Sequence, residues 1–206
     1  VRRTVRSRVR SDEAAAQAIK GMVMTTDDYV MARKCFSGGY THANAMFSGL
    51  LVENVSPYDL ASAYPAVIVR ERFPMSSFVD LDPALVESHL GKLAMMLDVT
   101  LEGVECKYGF GAISKSKCEE LTSDAWIDNG RVHSATRLRV VVTDVELATI
   151  RRNYSIESLY VNSAKAAVYN RLPHPVVEAV LDLYVKKTAL KGVDGAEIEY
   201  ESAKGD

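Results

Sequence analysis

No stretch of this 206-residue chain stays apolar for long. Its apolar runs, among them Val67-Ile68-Val69 and Val140-Val141-Val142, fall far short of the roughly 20 residues that a bilayer crossing demands, so no membrane partner is expected. Cysteine is scarce. Cys35, Cys106 and Cys118 form an odd set at spacings that fit neither zinc ligation nor a disulfide framework, which leaves a reduced, cytoplasmic setting as the default. An excess of one charge is missing too: 25 Lys and Arg against 27 Asp and Glu leave a formal net charge of −2, which argues against a uniformly basic nucleic-acid binder. The chain opens on Val rather than Met, and no apolar signal core follows its Arg-rich start. The expectation is a piece of a longer protein with no secretory address.

What is present is ordinary for a folded chain: 48% hydrophobic and 25% charged residues, enough for the core of one domain or two small ones. Arg2, Arg3, Arg6, Arg8 and Arg10 crowd the first ten residues, and two readings stand open, a phosphate-contacting cluster or a solvated, frayed terminus. Ser11 before Asp12-Glu13 reads as a helix start, with a helix to about Met22. Thr26-Asp27-Asp28 opens a second helix with Val30, Met31 and Cys35 inward, stopped by Gly38-Gly39. Leu51 to Asp59 reads as a strand into which Ser56-Pro57 fits only near an edge or a bend, and it leads into a helix from Ser62, with Pro65 in its first turn.

Farther on, Asp82-Pro83 starts a short helix that Gly91 ends. In the strand that follows, Leu93, Met95, Leu97, Val99 and Leu101 alternate with a second face of Ala94, Met96, Asp98, Thr100 and Glu102. Asn129-Gly130 marks a type I′ hairpin between Trp126-Ile127 and a strand from Arg137 to Val142. Thr143 to Glu146 is a capping box opening a helix to about Arg152. A strand near Ser158 to Val168 precedes a helix whose stripe is Val176, Val177, Val180, Leu181 and Tyr184, ending near Gly192. The class is α+β, divided as residues 1–70, a β-rich 71–170 and a mainly helical 171–206.

An Asp where a strand turns at once into a helix suits phosphate chemistry. Its carboxylate is a ligand of the kind Mg²⁺ prefers, and the N–H groups of the first helical turn, from Ser62 to Tyr64, point to the same place. On that ground alone, an Asp before a helix is far more often a cap or turn residue. The string Asp59-Leu60-Ala61-Ser62-Ala63-Tyr64-Pro65, however, resembles motif A of family B DNA polymerases, D-x-x-S-L-Y-P, with Ala63 in place of Leu. Phe36-Ser37-Gly38-Gly39 resembles the Y-x-G-G loop that precedes motif A in this family, with Phe36 in place of Tyr. The β-rich 71–170 is similar to the insertion carried by the family's protein-primed phage branch. Ala203-Lys204-Gly205-Asp206 resembles the start of motif B, K-x-x-x-N-S-x-Y-G.

The resemblance implies a partial polymerase palm in residues 1–70, a terminal-protein and DNA-binding insertion in 71–170, and the start of the fingers in 171–206. It implies nucleotidyl transfer to a primer by a two-metal-ion mechanism with Mg²⁺. Asp59 is then the catalytic carboxylate and, with the carbonyl of Leu60, a metal ligand. Ser62, Ala63, Tyr64 and Lys204 bind the nucleotide, Tyr64 beneath the sugar and Lys204 on the phosphates. Phe36, Ser37, Gly38 and Gly39 contact template. The partners implied are template and primer DNA, deoxynucleoside triphosphates and a terminal protein primer.

Other acids and histidines read differently. Asp80-Leu81-Asp82 mimics the acidic pair of motif C, but Asp82 before Pro83 is better explained as a helix cap. His42, His89, His133 and His174 are scattered without ligand spacing. His42 stands open between DNA contact and a structural role. With most of motif B and all of motif C unrecognisable, the chain alone is not expected to polymerise DNA. The rival class is a non-catalytic module that holds a protein primer or DNA.

Overall fold

The computed structural model describes residues 2–41, 47–60, 62–193 and 195–205. They divide into two compact units. Unit 1 comprises residues 1–23, 57–77 and 168–206, and unit 2 comprises residues 24–56 and 78–167.

Unit 2 is built on long antiparallel strands. It contains helix α3 (Thr26–Cys35), strand β2 (Val79–Leu81), α5 (Val86–His89), β3 (Leu93–Cys106), β4 (Cys118–Leu121), β5 (Trp126–Asp128), β6 (Arg131–Thr143), α6 (Asp144–Asn153), β7 (Tyr154–Ser155) and most of β8 (Ser158–Asn170). Strand β6 pairs with β3 from Met96↔Thr143 to Glu105↔Ser134, and on its other side with β4 and β5. The hairpin between β5 and β6 turns at Asn129 and Gly130, both left-handed with φ of 46° and 74°, as a type I′ turn requires. Thr143 and Glu146 form a reciprocal capping box at the start of α6. Asp82 caps the 3₁₀ turn Pro83–Leu85 by accepting from Ala84 N–H at 2.9 Å, so the acid there has the structural role expected of it.

The alternation of β3 is visible, but its second face is covered as well. Leu97, Val99 and Leu101 enter the main core with Val132, Leu138 and Leu147. On the opposite face Met96 and Val141 pack with Cys35, Met31, Ala32 and Phe78. Helix α3 supplies that cover, so β3 is buried on both faces around Met96. Val30, expected to face inward, is instead exposed. The helix is pinned by charge: Asp28, 1% exposed, lies with Oδ1 2.8 Å from Lys165 Nζ of β8, while its Oδ2 accepts from Thr25 N–H at 2.9 Å. Hydrogen bonding to Lys165 first, then to Thr25, lowers its pKa to about 2. The buried phenol of Tyr154 donates to the Val132 carbonyl at 2.6 Å and accepts from Ile113 N–H at 3.1 Å. A Cβ added to Gly111 would stand 2.4 Å from that same carbonyl oxygen.

Unit 1 is mainly helical, with α1 (Arg2–Ser11), α2 (Glu13–Lys20), α4 (Ala63–Arg70), α7 (His174–Leu190) and α8 (Glu197–Gly205). A ladder joins strand β1 (Phe73–Pro74) to the end of β8 at Asn170 and Tyr169. The Arg-rich segment is a regular helix rather than a frayed end. Helix α2 begins one residue later than the start expected at Ser11, capped by Asp12, whose side chain accepts from Ala15 N–H at 2.9 Å. Helix α7 touches α1, α4 and α8. Being covered from several directions, it buries Ala179 most completely, while Leu181 and Tyr184 of the expected stripe stay partly exposed.

Two boundaries move in the segments that carry the sequence motifs. Leu51 to Asp59 is not a strand: Asn54 takes a left-handed φ of 57°, Pro57 has no N–H to donate, and none of the described strands pairs with this stretch. Helix α3 ends at Cys35, where Phe36 turns extended, so the chain leaves the helix before Gly38-Gly39 rather than at it.

Candidate nucleotide and nucleic-acid site

The motif-bearing turn lies in unit 1. Asp59 and Leu60 are exposed in irregular chain just before α4. Ala61 lies outside the described residues. Ser62 holds the N-cap position in the left-handed region, φ 57° and ψ 39°, a conformation that costs a non-glycine residue about 1 kcal/mol. Its hydroxyl does not cap the helix. Side-chain hydrogen bonding by Ser62 first, then Thr188, with the nearby Lys187 and Lys191 charges, lowers the pKa of Tyr184 on α7. With Pro65 lacking an N–H, the uncapped donors of the first turn are those of Ala63 and Tyr64, as an anion site needs.

Tyr64 projects from this turn with 83% of its surface exposed. It lines a groove of about 210 Å³ with Pro65 and Ile68 of α4, Tyr184 and Lys187 of α7, and Ala203 of α8. The groove brings two sequence-predicted segments together, since Ala203 immediately precedes Lys204. The Lys204 backbone belongs to α8, and its side chain lies outside the described residues. Tyr184 and Lys187 were not singled out by sequence as site residues. In sequence Tyr184 belongs to the apolar stripe of α7 and both lie in the run Leu181 to Thr188, neither of which distinguishes a groove wall from a core face.

The glycine loop lies in unit 2. Phe36, Ser37, Gly38 and Gly39 are all exposed. Neither glycine adopts a left-handed backbone, and a Cβ on either would meet nothing within 4 Å. The local fold therefore makes no steric demand for glycine there. Cations and aromatics alternate around the loop: Lys117 Nζ lies 6.0 Å from the Phe36 ring centre, and the Arg131 guanidinium stands 4.5 Å over Tyr40. Ser37 and Lys117 line a small cavity of about 100 Å³ with Ser114 and Thr149. His42 lies outside the described residues.

No group of three or more His, Cys, Asp or Glu side chains gathers among the described residues. Asp59 is one carboxylate, and one carboxylate does not make a two-metal site, so the residues present do not by themselves fit Mg²⁺. The three cysteines are free thiols. Burial first, then the Glu146 charge, pushes the Cys35 thiol up to about 12, so it is protonated at neutral pH. No described helix is long and apolar enough to cross a membrane.

Comparison with known proteins places the fold. No family model and no curated protein matches the chain. Among solved structures, it is similar to phi29 DNA polymerase complexed with primer-template DNA and incoming nucleotide substrates, with a TM-score of 0.64 at 13% identity over 98% of this chain and 33% of that one. It is similar also to the orthorhombic crystal form of phi29 DNA polymerase (TM-score 0.59, 14% identity, 93% and 34% coverage). A third match is the complex of that polymerase with single-stranded DNA (TM-score 0.59, 14% identity, 92% and 33% coverage). The chain spans about a third of the length of these structures. At such identity the likeness is one of fold: an α+β arrangement shared with part of a DNA polymerase.

Proposed function

We propose that this chain is the part of a protein-primed family B DNA polymerase that runs from the palm into the fingers and carries the turn binding the incoming nucleotide. The observation that carries the reading is a coincidence of string and place. In a fold resembling part of a polymerase, Asp59, Leu60 and Ser62 lead into α4, whose first residues Tyr64 and Pro65 line a groove that Ala203, next to Lys204, also lines. Residues 1–70 then belong to the palm, 71–170 to an insertion that holds a terminal protein primer or DNA, and 171–206 to the start of the fingers.

In this reading the amides of Ala63 and Tyr64 hold nucleotide phosphates, because their donors have no side-chain cap and the helix N-terminus favours anions. Tyr64 lies under the sugar and leaves no room for a 2′-hydroxyl. Lys204 adds charge on the phosphates, and Phe36 to Gly39 follow the template, with Gly38 and Gly39 kept small for a close backbone approach. Asp59 and the Leu60 carbonyl would hold Mg²⁺ only together with carboxylates that the described residues do not gather. When bound, such ions stabilise the attacking and leaving oxygens of the transfer.

The test is Asp59→Asn in the intact polymerase that contains this chain. Primer extension should be lost while DNA binding persists. Extension within about tenfold of the unmodified enzyme, an effect of only about 1.4 kcal/mol on the barrier, would reject the assignment.

A further inference from the structure

The site leaves the arginine-rich helix α1 unused. Around its axis, Thr4, Val5, Arg8 and Val9 are half-buried, on a helix that packs against α7. Arg8 is tied there, ion-paired to Asp182 and 4.0 Å from Glu178. Arg3, Arg6 and Arg10 are exposed. At 100° per residue these three lie within about 60° of one another and span about 10 Å of helix. Among the described residues none of the three carries an ion pair, and α1 contains no acidic residue. Asp12, the next acid along the chain, is engaged in capping α2. In a chain of net charge −2, this is a one-signed stripe on a helix whose other face is already taken, whereas ordinary surfaces intersperse the two signs.

We infer that Arg3, Arg6 and Arg10 form a docking stripe for the phosphate backbone of double-stranded DNA. Charge complementarity selects the occupant. Duplex DNA offers a negative charge about every 1.7 Å of its axis, so a row of guanidinium groups about 10 Å long meets several phosphates, each suited to bidentate arginine bonding. A lipid surface fits less well. A helix lying on a bilayer buries an apolar face among the acyl chains, and Val5 and Val9 of α1 are already packed within unit 1. The stripe carries no base-reading geometry, so its contribution is independent of sequence and falls with salt. The inference rests on the reading of this chain as part of a DNA polymerase, and it adds a duplex contact on the same unit as the Tyr64 groove.

The experiment measures binding of the purified chain to a random-sequence duplex of about 30 base pairs by fluorescence anisotropy, across about 50 to 200 mM salt. Three proteins are compared: the unmodified chain, the combined Arg3→Gln, Arg6→Gln and Arg10→Gln variant, and the matching triple Lys variant. Circular dichroism and a melting curve confirm that each is folded. Three lost phosphate contacts should reduce the slope of log K against log salt by about 2.7, so that the unmodified chain loses about 40-fold more affinity over this range than the Gln variant. The Lys variant should keep most of the slope. Equal slopes for the unmodified and Gln proteins would overturn the stripe while leaving the polymerase reading intact. Binding of all three to vesicles of anionic lipid but not to duplex would overturn it in favour of a membrane. Failure of the polymerase reading appears separately, as primer extension by the intact enzyme that survives Asp59→Asn.

Discussion

Unit 2 covers Leu97, Val99, Leu101, Val132, Leu138 and Leu147 completely, whereas the buried apolar side chains of unit 1, among the described residues, are those of two alanines, Ala15 and Ala179. Unit 1 also leaves Tyr58, Leu60, Tyr64 and Ile198 at least 80% exposed. Burial of a large aliphatic side chain contributes about 1.5–3 kcal/mol, so stability in this chain is concentrated in the sheet. The motif-bearing turn has no side-chain cap and enters its helix through a left-handed Ser62. Binding segments are commonly drawn from the less stable parts of a protein, because closing on a ligand requires groups that are not yet packed. Unit 2 thus supplies the better-buried core, and unit 1 carries the turn proposed to bind the nucleotide.

The largest expected effect tests that division directly. In the intact polymerase, Asp59→Asn should reduce incorporation by at least about a thousandfold, more than 4 kcal/mol on the barrier. Because Asp59 is exposed, the melting temperature of the chain should change by less than about 0.5 kcal/mol equivalent. A large loss of stability with unchanged chemistry would invert the assignment of roles.

In unit 2 the expectation is the reverse. Leu97→Ala opens a cavity in the sheet core and should cost about 4 kcal/mol by urea denaturation. A loss below about 1 kcal/mol would mean that the core relaxes around the gap and that unit 2 is not the rigid partner.

Lys165→Met, which leaves the Asp28 carboxylate buried without its cation, should cost about 3 kcal/mol at neutral pH. The pH dependence carries the sign. The Asp28 pKa falls from 3.8 to about 2 on folding, so its stabilisation is complete above about pH 4 and is lost as pH falls from there toward 2. Acid titration of the Lys165→Met protein should therefore be flatter over that window than that of the unmodified chain. Parallel curves would show that the ion pair is not what lowers the pKa.

The smallest effect belongs to unit 1. Tyr64→Val should leave stability untouched, since the ring is mostly exposed, and should relax discrimination against ribonucleotides by about tenfold in the intact enzyme. A competition assay with paired nucleotides reads it. Unchanged discrimination would remove the sugar-contacting role from Tyr64 and leave the groove without its proposed occupant.

What could be read from sequence was set by the range of the interactions involved. The Asn129-Gly130 turn, the Thr143 and Glu146 capping box and the Asp82 cap were legible because each is complete within four residues. The second buried face of β3 was not, because its cover comes from α3, more than sixty residues earlier in the chain. The stripe of α7 was misplaced for a similar reason, since α1, α4 and α8 all pack against it. Leu51 to Asp59 reads as a strand by composition, yet a strand exists only where a neighbour accepts its hydrogen bonds. At the candidate site, the string from Asp59 to Pro65 was visible in one dimension. The groove it borders was not, because Tyr184 and Lys187 reach it only through the packing of α7 on α4.

Asp28 does two jobs with one side chain, one oxygen closing the capping box of α3 and the other meeting Lys165. A helix held by greasy contacts alone can slide by a turn, about 5.4 Å, and find new ridges to rest in. This one cannot, because any such step would carry the carboxylate away from its cation and strand it out of water. The helix is indexed, like a shaft with a single key. Seven residues after Asp28 the helix ends at Cys35, so the chain enters Phe36 and the glycines from an end whose register is already set.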